Sequence, residues 1–78
     1  MRNIKSITVD FENTNKKSIQ LGLAEVVFIL QRRDDCIINI PPGKFVYFRD
    51  LFSSIGLYFA ECDETVKGFK VRIKKLGG

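Results

Sequence analysis

The sequence contains no histidine and no tryptophan, and it has only two cysteines among 78 residues. Without histidine, the chain cannot form the Ser-His and Cys-His pairs of many hydrolases, nor a histidine-ligated zinc site. The cysteines, Cys36 and Cys62, form neither a Cys-x-x-Cys pair nor another metal-ligand spacing. We therefore predict that the chain is not an enzyme and that it has no catalytic residues, no metal site and no cofactor.

Long apolar runs are also missing. No run approaches the roughly 18 residues of a membrane span, and the first ten residues lack the apolar centre of a secretory signal. These absences predict a cytoplasmic protein without a membrane partner. In a reducing cytosol both thiols should be free, and each is expected to be a small buried apolar residue.

What is present favours one folded domain covering residues 1–78. Hydrophobic residues make up 45% of the chain, and the charged residues, 28%, are mixed in sign. Such a composition argues against disorder, and the length suits a single domain. The formal net charge of +4 permits, without requiring, an acidic protein or nucleic-acid partner.

Two kinds of periodicity appear in the first half. Residues 6–11 alternate and predict a strand. Residues 18–33 have apolar side chains at spacings of three and four, with Ser18 as N-cap, and predict a helix. Within it, residues 26–30 are β-branched and aromatic, so the pattern there also allows a strand. Residues 36–40 predict a buried strand, which Pro41-Pro42-Gly43 ends.

The second half predicts a helix and a hairpin. Residues 44–56 have apolar positions at helical spacing, with Gly56 as the glycine that ends the helix. Residues 57–65 and 69–76 predict two strands joined by a turn at 66–68. The order βαβαββ predicts an α+β fold: a two-layer sandwich with two helices on one face of a four-stranded mixed sheet.

The stretches FRDLFSSIGLYFAECDET and GFKVRIKKLGG resemble the TusA/SirA family of small sulfur-relay proteins. This resemblance implies the βαβαββ fold, which the family shares with the C-terminal domain of translation initiation factor three. The family carries persulfide on the cysteine of a Cys-Pro-x-Pro motif at the start of the first helix. In this chain Ser18 stands about where that cysteine would be, and a hydroxyl cannot carry persulfide. The leading interpretation is therefore a non-catalytic accessory or binding module on this fold.

The last strand supplies the candidate binding face. Lys70, Arg72 and Lys74 alternate along it, and Tyr58 lies on the neighbouring strand. With both helices on one side of the sheet, this basic face is open to a protein partner. Cations interleaved with an aromatic ring would also suit single-stranded RNA. Alternating cations on an edge strand can instead simply prevent sheet-edge pairing.

Two further predictions concern sulfur chemistry and ion pairs. A sulfur carrier is an alternative function, and its candidate sulfur-carrying residues are Cys36, Cys62 and the C-terminal Gly78. Glu61 and Asp63 are expected to pair across the hairpin with the cations of the last strand. The sequence leaves the oligomeric state open.

Overall fold

The computed structural model describes residues 7–11 and 15–75. Its elements follow one another as β1 (Thr8–Asp10), α1 (Lys16–Leu30), β2 (Cys36–Ile40), α2 (Phe45–Ser54), β3 (Leu57–Thr65) and β4 (Gly68–Lys75). The strands form one four-stranded mixed sheet, and both helices pack on the same face of it. The predicted α+β sandwich is thus confirmed. No helix in the described part of the chain is long and apolar enough to cross a membrane.

Helix α1 includes the segment whose pattern also allowed a strand. Val26, Ile29 and Leu30 are buried at helical spacing, so the long apolar face on the sheet outweighs the weak helix propensity of the β-branched residues. The predicted N-cap is wrong, because the cap is Asn15 rather than Ser18. The Asn15 side-chain oxygen accepts a hydrogen bond of 2.8 Å from the backbone N–H of Ser18. Asparagine caps at least as well as serine, so the helix begins earlier than predicted.

Helix α2 follows the Pro-Pro-Gly turn and ends as predicted. Gly43 has a φ of +84° and Gly56 a φ of +82°, a backbone conformation that glycine adopts without strain. Gly56 directly follows the C-cap residue, Ile55. It therefore occupies the position that glycine commonly takes after a helix.

The strand order is β1-β2-β4-β3. Strands β1 and β2 are parallel, whereas β4 runs antiparallel to both β2 and β3. The interpretation of the basic strand as an edge strand is therefore wrong, because β4 lies inside the sheet. Val71 and Ile73 of β4 are completely buried, which fits a strand that is flanked by neighbours on both sides. The edges of the sheet are β1 and β3.

The core lies between the sheet and the two helices, and the Phe11 side chain contacts both helices. Its ring centroid lies 4.9 Å from that of Phe48 and 5.9 Å from that of Phe52, both on α2. On the other side it touches α1 at Gly22, where an added Cβ would lie within 2.8 Å of the Phe11 ring. Gly22 thus permits a close approach between α1 and the residue that follows β1.

Candidate binding surface on the open face of the sheet

The face of the sheet turned away from the helices carries all four candidate binding residues. Val71 and Ile73 point into the core, so Lys70, Arg72 and Lys74 point the other way by strand alternation. Tyr58 lies opposite Lys74 on β3 and is 40% exposed. We call this side the open face and include in it the outward residues Thr8, Asp10, Asp35, Ile37, Asn39, Tyr58, Glu61, Asp63, Lys70, Arg72 and Lys74.

Arg72 is held between two carboxylates at the centre of the open face. Its Nε donates to Oε1 of Glu61 over 3.2 Å, and its Nη1 donates to Oδ2 of Asp35, which precedes β2. The hydrogen bond to Asp35, followed by that to Glu61, raises the pKa of Arg72 above its ordinary value. The predicted pairing of Glu61 with a cation of β4 is confirmed, and it fixes the orientation of the guanidinium.

A β-bulge decides which carboxylates reach the open face. The register of β3 against β4 shifts between Phe59 and Glu61, so that Ala60 is the extra residue. Phe59 still faces the core, beside α2. After the bulge Glu61 lies opposite Arg72, and Asp63 lies opposite Lys70. Both carboxylates therefore join the open face instead of continuing on the core side with Phe59.

The open face is of mixed charge and not basic as predicted. Among the described residues, three of the four cations of β4 share this face with four carboxylates: Asp10, Asp35, Glu61 and Asp63. The prediction considered β4 by itself, whereas the strand register places acidic residues beside its cations. Four carboxylates beside these cations weaken the positive field that would attract a nucleic-acid backbone.

A concavity of about 150 Å³ lies in the open face. Its lining residues are Ile37, Glu61, Asp63, Lys70, Val71 and Arg72. Apolar surface from the strands thus adjoins charges of both signs. The concavity can receive a side chain or another small group that has both apolar and polar atoms.

Cys36 is buried as predicted, and its surroundings keep it protonated. It lies on β2 with no exposed surface, and its thiol donates weakly to the carbonyl oxygen of Ile7 over 3.5 Å. Burial raises the pKa of Cys36 to about 11, with smaller contributions from Asp35 and Glu25. A thiol becomes nucleophilic as thiolate, so Cys36 is not activated.

Cys62 differs from the prediction because it is exposed. It lies on edge strand β3, opposite Val71. The pKa of Cys62 is nevertheless raised, first by partial burial and then by the negative charge of Asp63. Cys36 lies opposite Ile73, so β4 separates the two cysteines by more than about 10 Å, since neighbouring strands are about 4.8 Å apart. A disulfide needs Cα atoms within about 7 Å, and this spacing excludes one within the chain.

Gly78, the third candidate sulfur-carrying residue, lies outside the described residues. Within the described ranges, no group of three or more histidine, cysteine, aspartate or glutamate side chains is placed to hold a metal ion. The predicted site residues thus fall into two sets. Tyr58, Lys70, Arg72 and Lys74 share the open face, whereas the cysteines lie apart from it, Cys36 in the core and Cys62 on edge strand β3.

The sequence interpretation missed a second surface, on helix α1. Val27 is among the apolar residues of the predicted helix, but it is 40% exposed, and Leu21 and Phe28 are 64% and 54% exposed. Leu21, Ala24 and Phe28 recur at intervals of three and four residues, opposite the buried face. The available signal was the presence of Leu21, Ala24 and Phe28 on the side of the helix that carries its polar residues, because the solvent side of an amphipathic helix is normally polar.

Comparison of the chain with protein-family models, with curated proteins and with solved structures finds no significant match in any of the three. The TusA/SirA-like assignment therefore stays a prediction from the residues.

Proposed function

We propose that the chain is a non-catalytic protein-binding module on a TusA/SirA-like fold, and that its open face contacts the partner. This proposal rests on the position of Arg72, whose guanidinium is held by hydrogen bonds to Asp35 and Glu61 beside the concavity. Arginine and tyrosine are enriched among the residues that dominate protein–protein binding. A guanidinium that is already oriented loses little conformational freedom when a partner binds.

The chemistry of the open face favours a protein partner that has both positive and negative groups at its binding surface. Charges of both signs flank the apolar surface of Ile37 and the aromatic ring of Tyr58. Polar groups around an apolar centre are the usual arrangement of a protein interface. A partner with matching positive and negative groups would gain from this arrangement, whereas a uniform polyanion would meet the carboxylates.

The properties of the two cysteines give less support to the sulfur-carrier alternative. Neither Cys36 nor Cys62 has the lowered pKa that thiolate chemistry requires. Ser18 is the third residue of α1, in the region where the resembling family places its cysteine. We therefore propose that any link to sulfur relay is through a partner and not through a thiol of this chain.

Site-specific photo-crosslinking tests the proposal. A photoreactive phenylalanine analogue replaces Tyr58 in the source cells, and mass spectrometry identifies the crosslinked protein. That partner is then purified, and its affinity is measured by isothermal titration calorimetry. Tyr58→Ala and Arg72→Ala should each weaken binding about tenfold or more, as expected of residues at the centre of an interface. Lys67→Ala, in the exposed β3–β4 turn, is the matched control and should leave the affinity unchanged.

Two results would contradict this function. The first is a crosslinking pattern at position 58 that does not differ from that of the same analogue at the exposed turn residue Val66. The second is tight, salt-dependent binding of a fluorescent single-stranded RNA that Lys70→Ala and Lys74→Ala abolish. The latter result would assign the open face to RNA.

A further inference from the structure

The outer side of α1 carries exposed apolar side chains although it faces away from the core. We call Leu21, Ala24, Val27 and Phe28 the α1 stripe; all four are exposed. Beyond Lys17, Glu25 is the only charged residue of this helix. Large apolar side chains that cluster on an exposed surface are typical of a site that another molecule covers. In the described part of the chain, both the core and the sheet lie on the opposite side of α1.

Cations bracket the α1 stripe at both ends. Lys17 precedes Leu21 by four residues and so lies on the same side of the helix. Arg32 follows Phe28 by four residues, and its guanidinium lies 4.9 Å from the centroid of the Phe28 ring. At a rise of 1.5 Å per residue, about 22 Å separates the two positions. Glu25 is the only carboxylate between them.

From this arrangement we propose that the α1 stripe docks an amphipathic helix of a protein partner, one that has an apolar seam and acidic residues at both ends. The apolar seam would pack along the stripe from Leu21 to Phe28. The small side chain of Ala24, at the middle, allows the two helix axes to approach closely. The acidic residues would lie beside Lys17 and Arg32, which are spaced by about four turns. This surface is separate from the open face and does not depend on it.

The charges distinguish this occupant from a second copy of the chain. If two α1 helices packed antiparallel, Lys17 of one copy would approach Arg32 of the other. If they packed parallel, each cation would approach its own equivalent. Both directions place like charges together, which costs free energy at an interface. An acidic helix meets opposite charges at both ends.

A lipid surface is disfavoured by Glu25. It follows Leu21 by four residues and precedes Phe28 by three, so it lies beside both apolar anchors. Insertion of the two anchors into a bilayer would carry this carboxylate toward the acyl boundary, together with the exposed Gln20 and Gln31. In a complex with another helix, Glu25 can stay at the solvated rim.

A pair of synthetic peptides tests the proposal. The probe is a fluorescein-labelled, stapled helix of about 16 residues, or about 24 Å. It has leucines at spacings of three and four and two glutamates at each end. The second peptide has lysines in place of the glutamates. Fluorescence anisotropy with the full chain should show saturable binding of the acid-ended peptide. The lysine-ended peptide should bind with an affinity at least about tenfold lower.

Variants of the chain locate the binding site. Leu21→Gln and Phe28→Gln should each lower the affinity for the acid-ended peptide about tenfold. Val66→Gln is the matched control, because Val66 is an apolar residue that is completely exposed in the β3–β4 turn, and it should have no effect. Circular dichroism verifies that the variants are folded, which their exposed positions favour.

Four results would overturn the proposal. Equal binding of both peptides would show that the cations play no part, and binding of neither would show that the stripe does not dock such a helix. A dimer in sedimentation equilibrium that Phe28→Gln dissociates would assign the stripe to a second copy. Phe28-dependent binding to phosphatidylglycerol vesicles without peptide binding would assign it to a membrane.

Discussion

Replacing Gly22 by alanine brings two opposing effects together in α1. Helix propensity alone favours alanine by about 1 kcal/mol. At this position, however, the added Cβ would come within 2.8 Å of Cζ of Phe11. The Phe11 ring is only 1% exposed, and it is packed against Phe48 and Phe52 on its other side. The ring therefore has no vacant space into which it could move.

The balance of these effects predicts a loss of stability. Adding a methyl group to a filled core costs about 1–3 kcal/mol. A contact this short against a confined ring belongs in the upper half of that range. After subtraction of the propensity gain, Gly22→Ala should lower the free energy of unfolding by about 1–2 kcal/mol. Urea denaturation followed by far-UV circular dichroism measures the difference.

A double-mutant cycle with Phe11→Leu separates the two effects. Leucine lacks the far end of the ring, so Gly22→Ala should cost less in that background, with a coupling energy of about 1 kcal/mol or more. Ala24→Gly, on the exposed side of α1, is the propensity control and should cost about 1 kcal/mol. A Gly22→Ala variant that is stabilised by about 1 kcal/mol in both backgrounds would refute the packing argument.

Four further predictions follow from the fold. Asn15→Ala should cost about 1 kcal/mol in urea denaturation because it removes the N-cap, whereas Ser18→Ala should cost clearly less; the reverse order would restore Ser18 as the cap. Iodoacetamide should label Cys62 and spare Cys36 in the folded chain, as read from intact mass; equal labelling would show that Cys36 is accessible. Burial raises the pKa of Cys36 from 9.0 to about 11, so the folded chain retains a proton that the unfolded chain loses. Stability should therefore decline as pH rises from 9 to about 11, and Cys36→Ala should lessen that decline; a decline of the same size in the variant would show that Cys36 does not cause it. Gly68→Ala should lower stability by more than about 2 kcal/mol in the same urea assay, because φ is +140° and the added Cβ would meet the backbone at the end of β2. A smaller loss would mean that the turn can rearrange.

The elements of this fold could be predicted from the sequence because their signals are local. Alternation is enough to place Lys70, Arg72 and Lys74 on one face, and the spacing of apolar residues is enough to identify both helices. The N-cap could not be assigned from such spacing, because asparagine and serine occur three residues apart and both cap well. The capped N–H belongs to Ser18 itself, so the structure uses both residues, with Asn15 as the acceptor.

Strand order depends on contacts that are distant in sequence, and it could not be predicted in the same way. The hairpin pattern shows that β3 and β4 pair, but it does not show which of the two lies next to β2. In the structure Ile38 of β2 lies opposite Val71 of β4, and both are completely buried. The pairing of these two apolar strands places the cations of β4 in the middle of the open face instead of at its edge.

The chemical character of the open face depends on one residue, Ala60. If β3 paired with β4 without a bulge, strict alternation would place Glu61 and Asp63 on the core side with Phe59. The extra residue at Ala60 instead turns both carboxylates to the outer side, where Glu61 holds Arg72. The same cations would otherwise form a surface with fewer carboxylates and a stronger affinity for phosphate. The bulge thus supports the proposed protein partner, although the composition of β4 alone suggests a nucleic acid.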